Sequence, residues 1–397
     1  MKILLGVCGG IAAYKAAALT STLVQDGADV HVVLTDEAQR FLTPLTFAAL
    51  TRNRVHTSLW DEQEKIPHIA LVRGADVLAI VPATANTLAK LAHGIADDLL
   101  TNAALAATIP IVVAPAMNAA MYEHPATVEN LRALRARGVE IVEPESGFLA
   151  EREHGVGRLA DEAKIVAAIQ AAVARRCALR GERIVITAGP TREAIDPVRF
   201  ISNASTGTTG IELAREALAR GASVDLVLGP TTADAPGTAR THRVTTAQEM
   251  FDAATPLAKD ATIVVAAAAV ADWRPARAHA QKIKKEDRAG ETLDLVRNPD
   301  ILAAIAARKN GTYVVGFAAE TQAHEQNARE KLRAKNLDAI AVNDVAGDRG
   351  FGTGENELVL LYGRDGRIPL GRGAKRELAM RFWDAIAALR KKAADAS

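Results

Sequence analysis

Cysteine is scarce in this sequence: Cys8 and Cys177 are the only two among 397 residues. Two thiols so far apart make neither a disulfide framework nor a Cys-x-x-Cys metal site, and their scarcity fits a reducing, cytoplasmic setting. Aromatic residues are also few, at 4%, which removes most of the stacking platforms that single-stranded nucleic acid needs. Neither sign of charge dominates, since 48 Lys and Arg stand against 47 Asp and Glu. No global field therefore favours nucleic acid or an acidic membrane, and any bound anion has to be held by local groups. The longest apolar run, IVVAAAAVA at 263–271, is too short to span a bilayer, and the opening MKILLGVCGG is expected to be strand and turn rather than a signal peptide.

What is present is a grammar used twice. Short β-branched runs such as KILLGV, DVHVVLT, ADVLAIVPA and IPIVVAPAM alternate with helical stretches such as IAAYKAAALTSTLVQDG and NTLAKLAHG. That alternation predicts parallel strands with crossover helices, the doubly wound α/β arrangement. After CALRGE it restarts with RIVITAGPT, a long loop, TGIELAREALARG and ASVDLVLGP. Two Rossmann-like α/β domains are expected, spanning 1–179 and 180–397, and the length suffices for a core in each.

Several loops after predicted strands carry polar groups where crevice ligands bind in such folds. GVCGGIAAYK follows a strand and opens a helix, but its glycines, Gly6, Gly9 and Gly10, do not make G-x-G-x-x-G, and the second strand ends in Thr35. Taken alone this is either a mononucleotide phosphate cradle or a tight turn without a ligand. PATANTLAK, ADDLL and APAMNAAMY follow later strands, and His68 stands in KIPHIALV. In the second half, VITAGPTREAIDPVRFISNASTGTTG is rich in Arg, Asn, Ser and Gly, a composition suited to polyanions. VADWRP, KIKK, NPDIL and KLRAKNLD then place acidic and basic residues after further strands, without a Walker A loop.

The first-half motifs together resemble the flavoproteins that decarboxylate a C-terminal cysteine, specifically phosphopantothenoylcysteine decarboxylase, whose fold is flavodoxin-like. The resemblance implies FMN, with its phosphate near Gly9, Gly10 and Thr35 and its ring near Thr84, Ala85, Asn86 and Thr87. It makes His68 the base that assists oxidation of the substrate thiol, Asn118 the carboxylate-binding residue and Met117 part of the flavin pocket. The chemistry needs such a cofactor, because an amide-linked carboxylate has no electron sink until a thiocarbonyl is formed beta to it.

The second half resembles phosphopantothenate–cysteine ligase, and the two together look like the fused bacterial coenzyme A biosynthesis family. That resemblance implies that 4′-phosphopantothenate is activated by CTP as an acyl-cytidylate, from which L-cysteine displaces CMP, with Mg2+ bridging the phosphates. Asp272 and the backbone of Ala266, Ala267 and Ala268 would read the cytidine. Lys282, Asn298, Pro299, Asp300, Ile301, Phe317, Lys331 and Lys335 would surround the nucleotide, the last two lysines on a mobile flap, while Arg199 and Asn203 would handle the acyl-cytidylate. Homo-oligomers with dimeric ligase and trimeric decarboxylase contacts are implied as well.

Three positions depart from the pattern: Thr208 stands where a lysine is common, Tyr122 where tryptophan is usual, and Glu151 where a proton-donating cysteine is expected. The substitute donor is then Glu151 or His154, or water, or the decarboxylase half stops at the enethiol or serves only as a flavin-binding oligomerisation module. A carboxyl desolvated in a flavin pocket could act as a general acid, unless Arg152 pairs with it.

Overall fold

Runs such as KILLGV and VLAIVPA bury nearly every residue, as strands covered on both faces must. The computed structural model describes residues 1–60, 66–148, 154–284, 292–320, 324–344 and 355–395, and its chain separates into two units, Met1–Arg176 and Cys177–Ser397.

In the first unit the chain runs through β1 (Lys2–Val7), α1 (Ala13–Gln25), β2 (Asp29–Leu34), α2 (Pro44–Thr51), β3 (Val55–His56), α3 (Pro67–Arg73), β4 (Val77–Ala83) and α4 (Ala85–His93). It continues through α5 (Leu99–Ala106), β5 (Ile111–Pro115), α6 (Ala119–Tyr122), α7 (Pro125–Ala136), β6 (Glu140–Ile141), the antiparallel pair β7 (Glu145–Phe148) and β8 (His154–Arg158), and α8 (Glu162–Cys177). The six sheet strands lie in the order β3-β2-β1-β4-β5-β6, all parallel. Apolar residues of α1, α2 and α8 pack on one face, and those of α3, α4, α5 and α7 on the other. Chain order reverses between β1 and β4, and such a reversal opens a crevice at the carboxyl edge of the sheet. β7 and β8 form a hairpin, and Gly157 lets β8 run close to Met117.

The second unit begins with β9 (Arg183–Ala188), the ribbon β10 (Arg192–Ala194) and β11 (Phe200–Ser202), α9 (Thr208–Ala219), β12 (Ser223–Leu228), β13 (Arg240–Arg243), α10 (Ala247–Leu257) and β14 (Ile263–Ala266). A second ribbon, β15 (Trp273–Pro275) and β16 (Leu295–Arg297), precedes α11 (Ile301–Ala306), β17 (Tyr313–Glu320), α12 (His324–Ala334), β18 (Ala339–Asp344), β19 (Glu355–Tyr362), β20 (Gly366–Ala374) and α13 (Lys375–Asp395). Its sheet order is β13-β12-β9-β14-β17-β18-β19-β20, reversing between β9 and β14. The last two strands are antiparallel, joined by a tight turn instead of a crossover helix. The doubly wound α/β fold expected of both halves is thus the one observed, with a mixed edge on the second.

Local signals set the helix ends. Asp98 and Thr101 form a reciprocal cap on α5, as do Thr246 and Glu249 on α10, and Gly94, at φ +71°, ends α4. Helices α9 and α13 are tied by Arg220, which is only 2% exposed. It donates to Glu216 at 2.7 Å, to Asp384 at 2.7 Å and to the Met380 carbonyl at 2.8 Å. Arg220→Ala is expected to lower the unfolding free energy by about 3 kcal/mol, the low end for a broken buried pair because Asp384 is half exposed and can rehydrate. Urea titration followed by circular dichroism measures it.

Candidate functional site

At the carboxyl edge of the first sheet, β1 leads into Cys8, Gly9 and Gly10, β2 into Thr35, β4 into Thr84, and β5 into Met117 and Asn118. Thr84 caps α4 by accepting from the Thr87 N–H at 3.2 Å, and Thr87 Oγ1 donates to Cys8 Sγ at 3.2 Å. Burial pushes the Cys8 thiol up to about 11, only partly opposed by Thr87 and Thr84, so it stays protonated at neutral pH. Ala85 is half-buried and Asn86 exposed in the first turn of α4.

The two glycines differ in what they permit. A Cβ on Gly9 would stand 2.2 Å from Glu37 Cβ, whereas one on Gly10 would meet only Thr84 Cγ2, at 3.9 Å. Gly9 is therefore required by the neighbouring turn, and Gly10 leaves its backbone open to a ligand. Thr35 is buried and accepts from the Ala38 N–H at 3.2 Å, which leaves its hydroxyl proton free to donate.

His68 occupies the first turn of α3, just after Pro67. Beyond the other end of α3, Asp76 exchanges two 2.8 Å hydrogen bonds with Lys2 at the start of β1. The helix thus runs antiparallel to the strands, which carries His68 toward the same carboxyl edge. Its Nδ1 is buried without a hydrogen-bond partner, an orphan of the sort that marks a site completed by something else.

Asn118 caps α6, its Oδ1 accepting from the Ala120 N–H at 2.9 Å, so its amide N–H donors remain for a ligand. The hairpin is fastened beside it: the Met117 N–H donates to the Gly157 carbonyl at 3.0 Å. Tyr122 anchors the root of the hairpin by donating to Glu143 at 2.5 Å, and burial and that carboxylate push its phenol up to about 12. Phe148 and His154 meet edge to face, 5.7 Å apart, where the described part of the hairpin stops. Glu151 and Arg152 lie outside the described residues. Gly157 sits at φ +146°, and a Cβ there would come 2.1 Å from the Met117 carbonyl oxygen. Gly157→Ala should therefore break the bond from the Met117 N–H and detach the hairpin, as at least tenfold faster amide exchange at Met117 would show.

In the second unit a cavity of about 500 Å3 opens at the carboxyl ends of β14 and β17. Ala266, Ala268, Asp272 and Phe317 line one side of it. Asn298, Pro299, Asp300, Ile301 and Lys335 line the other. Ala267 packs against the opposite hydrophobic cluster, and Lys282 and Lys331 are not in the lining. Lys331, expected on a flap, lies in the last turn of α12 and Lys335 just beyond it, where HEQNAREKLRA turns an apolar stripe, Ala328 and Leu332, onto the sheet.

Polar groups in the cavity are already aimed. Asn298 donates through Nδ2 to the Ala271 carbonyl at 2.8 Å and through its N–H to the Asp272 carbonyl at 2.9 Å. Arg274, which sequence reading missed, donates to Asn298 Oδ1 and to the Arg297 carbonyl, each at 2.9 Å. Asp300 caps α11 through the Ala303 N–H and pairs with Lys335 at 2.7 Å. Burial pushes the Asp300 carboxyl up, but Lys335 and the N–H groups outweigh it and hold the net value below the ordinary range. Thr187, Trp273, Arg297 and Leu302 also line the cavity, from β9, β15, β16 and α11; the sequence motifs contain the first, second and fourth, but none of these residues was singled out for a role.

Beside this cavity, Asn203 donates to the carbonyls of Ala269 at 3.2 Å and Val270 at 3.0 Å, supporting the wall that Val270 and Ala271 form. Arg199 pairs with Asp196. Arg199 and three backbone N–H groups hold the Asp196 carboxyl well below the usual carboxylate range, against the effect of burial. With its folded value depressed, the stabilisation is complete above the ordinary pKa of about 3.9 and is lost as pH falls through the lowered value. Among the described residues no group of three or more His, Cys, Asp or Glu side chains converges as a metal cage. No helix among them is long and apolar enough to cross a membrane.

Residues 1–174 match the Flavoprotein family, and residues 179–389 match the DNA/pantothenate metabolism flavoprotein C-terminal domain. The coenzyme A biosynthesis bifunctional protein CoaBC of Bacillus subtilis (strain 168) is 46% identical, covering 100% of this chain and 99% of its own. That of Mycolicibacterium smegmatis is 42% identical over 98% of each. A crystal structure of a CoaBC C-terminal domain is 36% identical and covers 54% of this chain and 99% of its own, with a TM-score of 0.47. With both halves matched in order and nearly end to end, the chain belongs to the coenzyme A biosynthesis bifunctional protein family, CoaBC.

Proposed function

We propose that the two activities of this coenzyme A biosynthesis enzyme are divided between its units, with cysteine ligation in 180–397 and decarboxylation in 1–179. In the ligase half the carboxylate of 4′-phosphopantothenate attacks the α-phosphate of CTP, forming the acyl-cytidylate and releasing pyrophosphate. The amine of L-cysteine then displaces CMP to form the amide. The observation that carries this reading is the cavity of about 500 Å3, whose lining combines apolar Ala266, Ala268 and Phe317 with Asp272, Asn298 and Lys335. Asp272 and the backbone near Ala266 and Ala268 read the base, while Lys335 and Lys282 face the charge that gathers on phosphate oxygens. Mg2+ enters on the triphosphate, whose oxygens are the hard ligands it prefers.

In the decarboxylase half, the open backbone at Gly10, the donor left on Thr35 and the hydroxyls of Thr84 and Thr87 fit FMN. Bound there, FMN would supply a reversible two-electron acceptor, holding a hydride from the thiol-bearing carbon while carbon dioxide is lost and giving it back to the enethiol afterwards. His68 takes the thiol proton, its buried Nδ1 being the unsatisfied atom that can hold it. Asn118 orients the carboxylate through its amide N–H groups, Met117 borders the ring, and the hairpin covers the reacting atoms. The last proton, in place of one from a cysteine, comes from Glu151, His154 or water. Dimeric ligase contacts, trimeric decarboxylase contacts and a cytoplasmic location belong to the same proposal.

The test supplies 4′-phosphopantothenate, L-cysteine, Mg2+ and each nucleoside triphosphate in turn to the purified flavin-bearing protein, following pyrophosphate and product mass. CTP-dependent pyrophosphate and 4′-phosphopantetheine are expected. Equal turnover with every nucleotide would remove the CTP assignment, and a product two hydrogens lighter would remove the substitute donor.

A further inference from the structure

The ion pair between the buried Asp196 and the exposed Arg199 holds a third element. Asp196 is 3% exposed, and its Oδ1 closes a turn by accepting from the N–H groups of Val198 at 2.9 Å and Arg199 at 2.8 Å. Its Oδ2 accepts from Arg199 Nε at 2.8 Å and from the N–H of Ile283 at 3.2 Å. Arg199 Nη2 completes the exchange by donating to the Ile283 carbonyl at 3.0 Å. One ion pair therefore grips both backbone groups of a residue more than 80 positions away. Nearby, the His279 N–H donates to the Ile195 carbonyl at 2.9 Å.

Ile283 sits half-buried between the exposed Lys282 and Lys284. The segment that carries them springs from the rim of the nucleotide cavity, because Asp272 and Trp273 line the cavity and β15 continues directly to Pro275. The Ala276 N–H still bonds the Asp294 carbonyl at 2.8 Å, and beyond it the tie to Asp196 and Arg199 sets the path. A three-residue ribbon by itself leaves its tip free to swing, and a bidentate guanidinium with a carboxylate acceptor provides the directional contact that stops it.

We propose that Asp196 and Arg199 are positioning residues of the ligase: they form a latch on Ile283 that sets where Lys282 stands relative to the nucleotide. The role of Lys282 rests on the ligase reading above, whereas the latch is a set of backbone bonds that can be tested without substrate. Asp196→Asn separates latch from turn. An asparagine can keep the Oδ1 contacts to Val198 and Arg199, but its NH2 replaces the oxygen that receives Arg199 and Ile283.

In the full-length, flavin-bearing protein, Asp196→Asn should speed amide exchange at Ile283 at least tenfold and lower kcat/KM for CTP roughly ten- to a hundredfold, the worth of one charged hydrogen bond. Decarboxylation of supplied 4′-phosphopantothenoylcysteine should not change. In a Lys282→Ala background the same substitution should cost less than about twofold more, as expected of two residues acting through one effect. Unchanged exchange at Ile283, or losses that multiply in full, overturns the latch. If the wild-type chain forms no CTP-dependent product, the ligase reading fails, and exchange at Ile283 alone decides the latch. Should Asp196→Asn not fold, Arg199→Lys, which keeps the charge but cannot fork to Asp196 and Ile283 together, is read in the same way.

Discussion

His68→Ala is expected to lower carbon dioxide release by roughly 10²- to 10⁴-fold, the range for loss of a positioned base, while pyrophosphate release by the ligase half is unchanged. The reasoning begins with an unsatisfied atom. A buried Nδ1 without a partner has a cost that folding alone does not recover, since nearly all buried polar atoms in folded proteins are hydrogen-bonded. Pro67 starts α3 and the Asp76–Lys2 bonds fix its far end, so the ring reaches the carboxyl edge on a short, rigid element. Flavin absorbance should remain, because Gly10, Thr35, Thr84 and Thr87 do not depend on the imidazole. A variant that binds flavin and decarboxylates within threefold of wild type would show that His68 is only a packed residue.

Asn298→Ala is expected to lower kcat/KM for CTP by about a hundredfold with decarboxylation untouched. The side chain joins two parts of the cavity wall: it gives Nδ2 to the Ala271 carbonyl and takes Arg274 on Oδ1. Truncation leaves Arg274 with its bond to the Arg297 carbonyl but strips the Ala271 carbonyl of this donor, and an unsatisfied buried group costs about 1–3 kcal/mol. The loop from Ala271 to Trp273, which bears Asp272, would then keep only its backbone ties, the bond from the residue 298 N–H to Asp272 and the pairing of β15 with β16. Isothermal titration with CTP and steady-state kinetics measure the effect, and an unaltered CTP affinity would mean that the loop is held by β15 and β16 alone.

Much of this architecture was readable from periodicity. Buried strands such as VLAIVPA and caps such as Asp98 with Thr101 are local features, so the alternating α/β pattern and its restart near residue 180 follow from short windows of sequence. Less readable were elements whose reason is a distant neighbour. Gly9 and Gly10 look alike in sequence, but one faces Glu37 and the other open space. Ala266, Ala267 and Ala268 are the same residue three times, and only the first and third reach the cavity. KLRAKNLD suggests a loose basic segment, while packing of Ala328 and Leu332 makes its first half helical.

Residue chemistry alone establishes a two-part α/β protein with few thiols, no dominant charge and polar loops after its strands. It also supplies the co-linear motifs shared with the CoaBC family. The division of those polar residues into ligand-facing and supporting groups is a tertiary matter. Arg199 and Asn203 have the composition of substrate-binding residues, and the fold also gives them supporting contacts, one to Ile283 and the other to the carbonyls of Ala269 and Val270. A guanidinium or an amide has the same donors whatever it faces, and only the path of the chain decides whether a backbone carbonyl takes them before a ligand can.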